Sequence, residues 1–222
     1  MKDQNILRKT VDLASVSQED VVAEVGCGEG WLSLALAKAS KALHIYEIDE
    51  GFLNLTRQRL GGFDQVYYYP GDILETRFHS INEPFKVVAN IPYYISAPFF
   101  KLLIEKKENL QCASIMVQEE FAKKVAAKPG SKEYTSLSIY LGFFLEMSYA
   151  FKVSRTCFRP VPNVDSAVVF VKPRPNPLYD VDEDVFFRMV RSSFWARRKT
   201  LLNCLLKSPY LKVPPEAKEL PF

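Results

Sequence analysis

The stretch Val21-Val22-Ala23-Glu24-Val25-Gly26-Cys27-Gly28-Glu29-Gly30 decides the fold. Five residues dominated by β-branched side chains read as a buried strand, and the three glycines that follow at alternate positions supply a tight turn that lets backbone approach a ligand. Trp31 to Ala39 then has helical spacing, so the turn opens onto a helix N-terminus with unpaired N–H groups. By itself a GxGxG turn is weak evidence of a ligand, since ordinary tight turns look the same.

Working outward, Ala42 to Ile48 reads as a second strand, a helix runs through Leu60, and Val66 to Tyr69 is a third strand that ends at Gly71-Asp72. Val87 to Ala89 is a fourth, followed by a helix over Ala97 to Glu105. A fifth strand, Ala113 to Val117, precedes a helix from Glu119 to Ala127. This alternation predicts an α/β fold with a mostly parallel sheet and crossover helices. Lys128 to Lys132 is a polar loop. Phe143 to Val153 and Val164 to Val171 read as long strands, expected to form an antiparallel hairpin that closes the sheet. Lys172 to Pro177 alternates proline and reads as a stiff linker. The expected division is therefore a domain over 1–172 and a small helical unit over 178–222, with helical spacing from Asp184 to Leu206.

The 222 residues are 48% apolar, enough for one sizeable core. The longest apolar runs, such as Ile139 to Leu145, fall far short of a membrane span, and Met1 to Asn5 lacks the apolar centre of a secretion signal. A soluble, cytoplasmic chain without membrane partners is expected. Cys27, Cys112, Cys157 and Cys204 form no CxxC pair and read as reduced core thiols, with no metal site. His44 and His79 read as structural or surface residues. The net charge of +3 is uneven: residues 1–150 hold 16 Lys/Arg against 19 Asp/Glu, and residues 151–222 hold 13 against 7. A basic last third suits a polyanionic partner, with a solvated basic helix as the alternative.

Three strand ends carry the candidate chemistry. Glu47, about 20 residues past the turn, is placed for ribose hydroxyls, and Asp72 for the amine of an adenine. A surface carboxylate and a helix N-cap are the respective alternatives. Two further acids, Glu24 and Glu29, flank the turn; they disfavour a pyrophosphate and favour a ligand carrying a sulfonium and an ammonium, that is, S-adenosylmethionine over a dinucleotide. Asn90-Ile91-Pro92-Tyr93 ends the fourth strand and brings together an amide, a proline-fixed backbone and an aromatic ring. The alternative there is a plain turn.

Taken together, Glu24 to Gly30, Tyr46 to Asp49, Gly71 to Leu74 and Asn90 to Pro98 resemble the successive motifs of the ribosomal RNA adenine N6-dimethyltransferases. Met116 to Glu120, Ala127 to Lys132, Phe158 to Ser166 and Arg197 to Leu201 are similar to the small-subunit enzymes more than to the macrolide-resistance methylases of the large subunit. The resemblance spans nearly the whole chain and implies a Rossmann-like methyltransferase that dimethylates N6 of two adjacent adenosines in a small-subunit rRNA hairpin. The partner it implies is small-subunit rRNA within a pre-30S-like particle, met by a monomer. Large-subunit rRNA methylation and a non-catalytic RNA-binding assembly factor are the alternatives.

The resemblance implies donor contacts from Glu24, Gly26, Gly28, Glu47, Ile48, Asp72, Ile73 and Asn90. It implies a reacting centre in which Asn90 and the Pro92 carbonyl accept the N6 hydrogens while Tyr93 and Phe158 cover the two faces of the base. Arg188, Arg191, Arg197, Arg198 and Lys199 are assigned to RNA phosphates, with Lys123, Lys124, Lys128 and Lys132 extending the track. Relatives carry a basic arm with a Gly-Gln-Asn-Phe-Leu-like segment ahead of the position of Met1, and further helices beyond Phe222. A chain without them is expected to have a correctly folded core with reduced or absent turnover.

Overall fold

A computed structural model describes residues 3–196 and 198–212. Seven strands form a single sheet in the order β3-β2-β1-β4-β5-β7-β6. They are β1 (Val21–Val25), β2 (Ala42–Glu47), β3 (Val66–Pro70), β4 (Phe85–Asn90), β5 (Leu110–Gln118), β6 (Leu145–Val153) and β7 (Ser166–Pro173). The first five are parallel to one another, while β7 runs antiparallel to both β5 and β6. Every residue of β1 is buried, as a central strand covered on both faces requires.

Helices cover the two faces. On one, α1 (Gln4–Leu13), α2 (Trp31–Ala39) and α3 (Glu50–Arg59) bury Leu7, Leu36 and Leu53 against Val22, Leu43, Ile45 and Val88. On the other lie α4 (Ile73–Thr76), α5 (Ser96–Glu105), α6 (Glu119–Val125) and α7 (Ser136–Phe144). There Phe99, Phe100, Leu103, Val125 and Leu141 pack on Ala23, Val87, Ile115 and Val169. Side-chain alternation along each strand feeds both layers, so the near-continuous apolar runs of the sequence are explained. The arrangement is a Rossmann-like α/β fold closed by an antiparallel hairpin.

The segment read as a strand from Phe143 is corrected at its start: Ser136 to Phe144 is α7, and β6 begins only at Leu145. Tertiary burial and a capping box overrode the strand-like composition; Thr135 accepts from the Ser138 N–H, and the Ser138 hydroxyl returns to the Thr135 N–H at 2.9 Å. The second hairpin strand begins at Ser166 rather than Val164 and runs to Pro173. The proline-rich stretch beyond it is pinned to α7. Arg174 donates its N–H to the Phe144 carbonyl at 2.8 Å and its Nε to the Gly142 carbonyl at 3.0 Å, and the Leu178 N–H reaches the Phe143 carbonyl at 2.9 Å.

The helical spacing from Asp184 onward resolves into α8 (Glu183–Ser193) and α9 (Leu201–Lys207), each with an N-capping side chain, Asp182 and Thr200. Phe186 and Phe187 of α8 pack against Phe143 of α7, with ring centroids 5.1 and 5.2 Å away, so α8 is anchored on α7 by aromatic contact.

Candidate active site and donor cleft

The parallel strands β1, β2, β3 and β4 end at one rim, and an open cleft lies there. Its lining includes Gly26 after β1, Glu47 at the end of β2 and Ile48 after it, Asp72 and Ile73 after β3, and Pro92 after β4. Four strand ends thus contribute to one cavity, as expected for a ligand site in an open α/β sheet.

Gly26 and Gly30 are each demanded by the turn. Gly26 has φ +78°, and a Cβ there would stand 2.8 Å from the Asn90 carbonyl oxygen; at Gly30, φ +76°, it would stand 2.8 Å from Thr56 Oγ1. Backbone therefore comes close to β4 and to α3 in a way a side chain would forbid. Gly28 is part of the turn, and its N–H donates to Glu47 Oε2 at 3.1 Å. Glu47 Oε1 accepts the Asp49 N–H at 3.1 Å, so this carboxylate, 8% exposed, is fixed by backbone donors from two loops.

Asp72 does two things at once. Its Oδ1 caps α4 by accepting the Leu74 N–H at 2.8 Å, which realises the N-cap alternative, yet the residue still lines the cleft. Ile48 is 57% exposed, an apolar surface left open beside the two carboxylates. A cleft with an apolar wall and two placed acids suits a flat, amine-bearing ring attached to a polyhydroxylated sugar.

Glu24 is not on the cleft wall. It points with Val22 into the layer below the glycine turn and is fully buried, with neither carboxyl oxygen in hydrogen-bonding geometry. Burial raises its pKa to about 8; the nearby Ser33 hydroxyl opposes the rise, and the charge of Glu47 adds to it to a smaller extent. At neutral pH Glu24 is therefore mostly uncharged, and the carboxylates that line the cleft are Glu47 and Asp72. Glu29 accepts the Trp31 Nε1–H at 3.0 Å.

Beyond the cleft, Asn90 closes β4 and pairs with Met116 of β5. Pro92 is exposed, and its carbonyl accepts the Ile95 N–H at 3.2 Å, which leaves a second lone pair available. Tyr93 starts a 3-10 turn (Tyr93–Ile95) and is half-buried. Phe158 lies half-buried with Met116, Val153 and Val168. Sequence reasoning missed three residues here. Tyr94, 77% exposed, and Ile95 line the cleft directly after the tetrapeptide, and Ser166 approaches Tyr93; adjacency to the motif was the signal for the first two.

The basic residues are distributed unevenly. Arg191, Arg198 and Lys199 are exposed, and Arg188 is exposed but paired with Asp184 at 2.9 Å. Arg197 lies outside the described residues. Lys123 and Lys124 are engaged by Glu119 and Glu120 at 2.8 and 2.7 Å, which reduces the charge they offer to a track. His44 is sandwiched between Tyr67 and Tyr69, burial lowering its pKa, and His79 is exposed. The four cysteines are free, and among the described residues no group of His, Cys, Asp and Glu is placed to hold a metal ion. Among the same residues no helix is long and apolar enough to cross a membrane.

Comparison with known proteins agrees with this geometry. The family model for ribosomal RNA adenine dimethylase matches residues 1–212. A protein named ribosomal RNA small subunit methyltransferase A from Bacillus cereus (strain B4264) is 41% identical over 98% of this chain and 77% of its own length. One of the same name from Geobacillus thermodenitrificans is 41% identical over 93% of this chain and 73% of its own. Among solved structures, a dimethyladenosine transferase from Plasmodium falciparum superposes with a TM-score of 0.81 at 30% identity, covering 92% of this chain and 74% of that one. The 23S rRNA methyltransferase ErmE gives 0.79 at 27% identity, covering 94% of this chain and 84% of that one.

Proposed function

Because the chain belongs to the ribosomal RNA adenine dimethylase family, we propose that it uses S-adenosylmethionine to dimethylate N6 of adenosines in small-subunit ribosomal RNA, two adjacent ones in a hairpin. One observation carries the reading: Gly26, Glu47, Ile48, Asp72, Ile73 and Pro92 converge on one cleft next to Asn90. The 41% identity to proteins named for the small subunit supports that subunit over the large one, between which the two similar TM-scores do not choose.

S-adenosylmethionine fits the residues present: Glu47 would hold the ribose hydroxyls, Asp72 the adenine amine, and Ile48 and Ile73 the ring faces, beneath the turn of Gly26 and Gly28. When bound it supplies an electrophilic methyl group.

The target amine is a weak nucleophile because its lone pair is delocalised into the base. Asn90, through its side-chain oxygen, and Pro92, through the free lone pair of its carbonyl, accept the two N6 hydrogens and favour a pyramidal nitrogen whose lone pair is available. Tyr93 stacks on the extruded base and Phe158 covers its other face. Holding the amine in line contributes several kcal/mol, and the displaced proton passes to water. Neither histidine is required. Arg191, Arg198 and Lys199, with Arg188 and Arg197, contact phosphates without reading sequence. The setting is a monomer acting on a pre-30S-like particle in the cytoplasm.

Calorimetry with the methyl donor, followed by labelled-methyl transfer to unmethylated small subunits and to naked large-subunit rRNA, tests the reading. Donor binding with transfer to the small subunit alone is expected. Transfer confined to the large-subunit RNA would assign the chain to the other substrate, and absence of donor binding would leave an RNA-binding factor.

A further inference from the structure

The hydroxyls of Tyr93 and Ser166 lie 2.8 Å apart. Ser166 is fully buried at the first position of β7, where it pairs with Gln118 of β5 on one side and Val153 of β6 on the other. Its backbone is thus held from both flanks, and its hydroxyl, out of reach of solvent, has a fixed position. The residues that follow it, Ala167, Val168 and Val169, are apolar and wholly buried, so a serine hydroxyl here answers to a polar partner rather than to packing.

Tyr93 is held at its other end as well. Pro92 fixes the approach of the chain with φ −56°, and the Ser96 hydroxyl donates to the Tyr93 carbonyl at 2.8 Å. A phenylalanine would stack on a base as well as a tyrosine does; what the phenol adds is a tip that can be tied down. With backbone and tip both fixed, the ring cannot swing about its Cα–Cβ bond.

We infer that Ser166 is a positioning residue for methyl transfer: its hydroxyl latches the phenol of Tyr93, so the aromatic wall that receives the flipped adenine is oriented before RNA binds. The inference rests on the reading of Tyr93 as the base-stacking residue. A ring already ordered loses no rotational freedom on base capture, and it presents the amine to Asn90 at one angle. Ser166 acts through Tyr93, from a strand that does not line the donor cleft.

Ser166→Ala and Tyr93→Phe each remove one oxygen and keep every carbon, so neither threatens the fold. Transfer of labelled methyl to unmethylated small subunits, at donor concentrations varied up to saturation, is measured for both, for the double variant and for Tyr93→Ala. Each oxygen deletion is expected to lower kcat roughly three- to tenfold, as loss of one hydrogen bond does, with the KM for donor unchanged. The double variant is expected to be no slower than the slower single, because both changes cut the same link. Tyr93→Ala is expected to be slower than any of them. If Ser166→Ala slows the Tyr93→Phe protein as much as it slows the wild type, or leaves the wild-type rate unaltered while Tyr93→Ala is impaired, the latch is overturned and the stacking role survives. If Tyr93→Ala transfers at the wild-type rate, the stacking reading itself falls, and the latch with it.

Discussion

Glu47 Oε2 accepts the N–H of Gly28 at 3.1 Å, so the acid that ends β2 and the glycine turn that follows β1 form one mechanical unit. The residue that would grip the ribose also sets the shape of the loop beneath the donor. Glu47→Ala should therefore weaken donor binding by roughly tenfold to a hundredfold, the range for a lost charge-assisted hydrogen bond, and should speed hydrogen exchange at the Gly28 amide. Glu47→Gln is not a neutral control. Both carboxylate oxygens accept backbone N–H groups, and an amide would set an NH₂ against one of them. Calorimetry combined with amide exchange checks both effects; an unchanged affinity in Glu47→Ala would remove the acid from the donor site.

Gly26→Ala would place a methyl 2.8 Å from the Asn90 carbonyl in a backbone region that disfavours side chains. A loss of about 1–3 kcal/mol of stability is expected, together with loss of donor binding, because either the turn or the end of β4 has to move. Urea unfolding and donor titration of the same variant read the two effects.

Glu24 gives a pH signature. Its folded pKa of about 8 lies above the ordinary value of 4.5, so between those values the folded state holds a proton that the unfolded chain releases. Stability from this group is thus highest at low pH, falls as pH rises through the interval, and levels off above about 8, with a slope of at most about 1.4 kcal/mol per pH unit. Glu24→Gln carries no such titration. Wild type should lose stability relative to it between pH 5 and pH 8 in chemical denaturation; parallel curves would show that Glu24 is ionised in the folded protein.

On the RNA side, Arg191 and Arg198 are exposed, whereas Arg188 is partly neutralised by Asp184. Reversing Arg191 and Arg198 to Glu should weaken RNA binding across sequences and reduce the salt slope by about one for each phosphate no longer neutralised, while Arg188→Ala should matter less. Binding isotherms between low and moderate salt decide this; an unchanged slope in the double reversal would make the basic face a solvated surface.

Much of this architecture was legible in the chain itself, and the exceptions have physical causes. The strands β1 to β5 announced themselves because buried parallel strands need continuous apolar runs, and their glycine or acidic ends marked the rim. Phe143 and Phe144 have the aromatic composition of a strand and lead directly into β6, so they read as its start; the Thr135/Ser138 capping box marks the helix they belong to. The proline-rich stretch after β7 read as a stiff linker because its tethers to Phe143 and Phe144 are backbone–backbone bonds and the Arg174 side chain ends on the Gly142 carbonyl, and main-chain acceptors leave no mark in side-chain pattern. Glu24 was read as a charged ligand contact since sequence does not reveal which face of a strand a carboxylate meets. Ser166 went unnoticed for the same reason: its partner, Tyr93, is 73 residues away.

The central claim is that Asn90, at the end of β4, orients the amine that receives the methyl group. Its most direct test is the single-turnover rate of labelled-methyl transfer to unmethylated small subunits for Asn90→Ala against wild type, with donor and RNA both saturating. A fall of about 10² or more, with both affinities retained, is expected from removal of one preorganised polar contact. A wild-type rate in the variant would contradict the account.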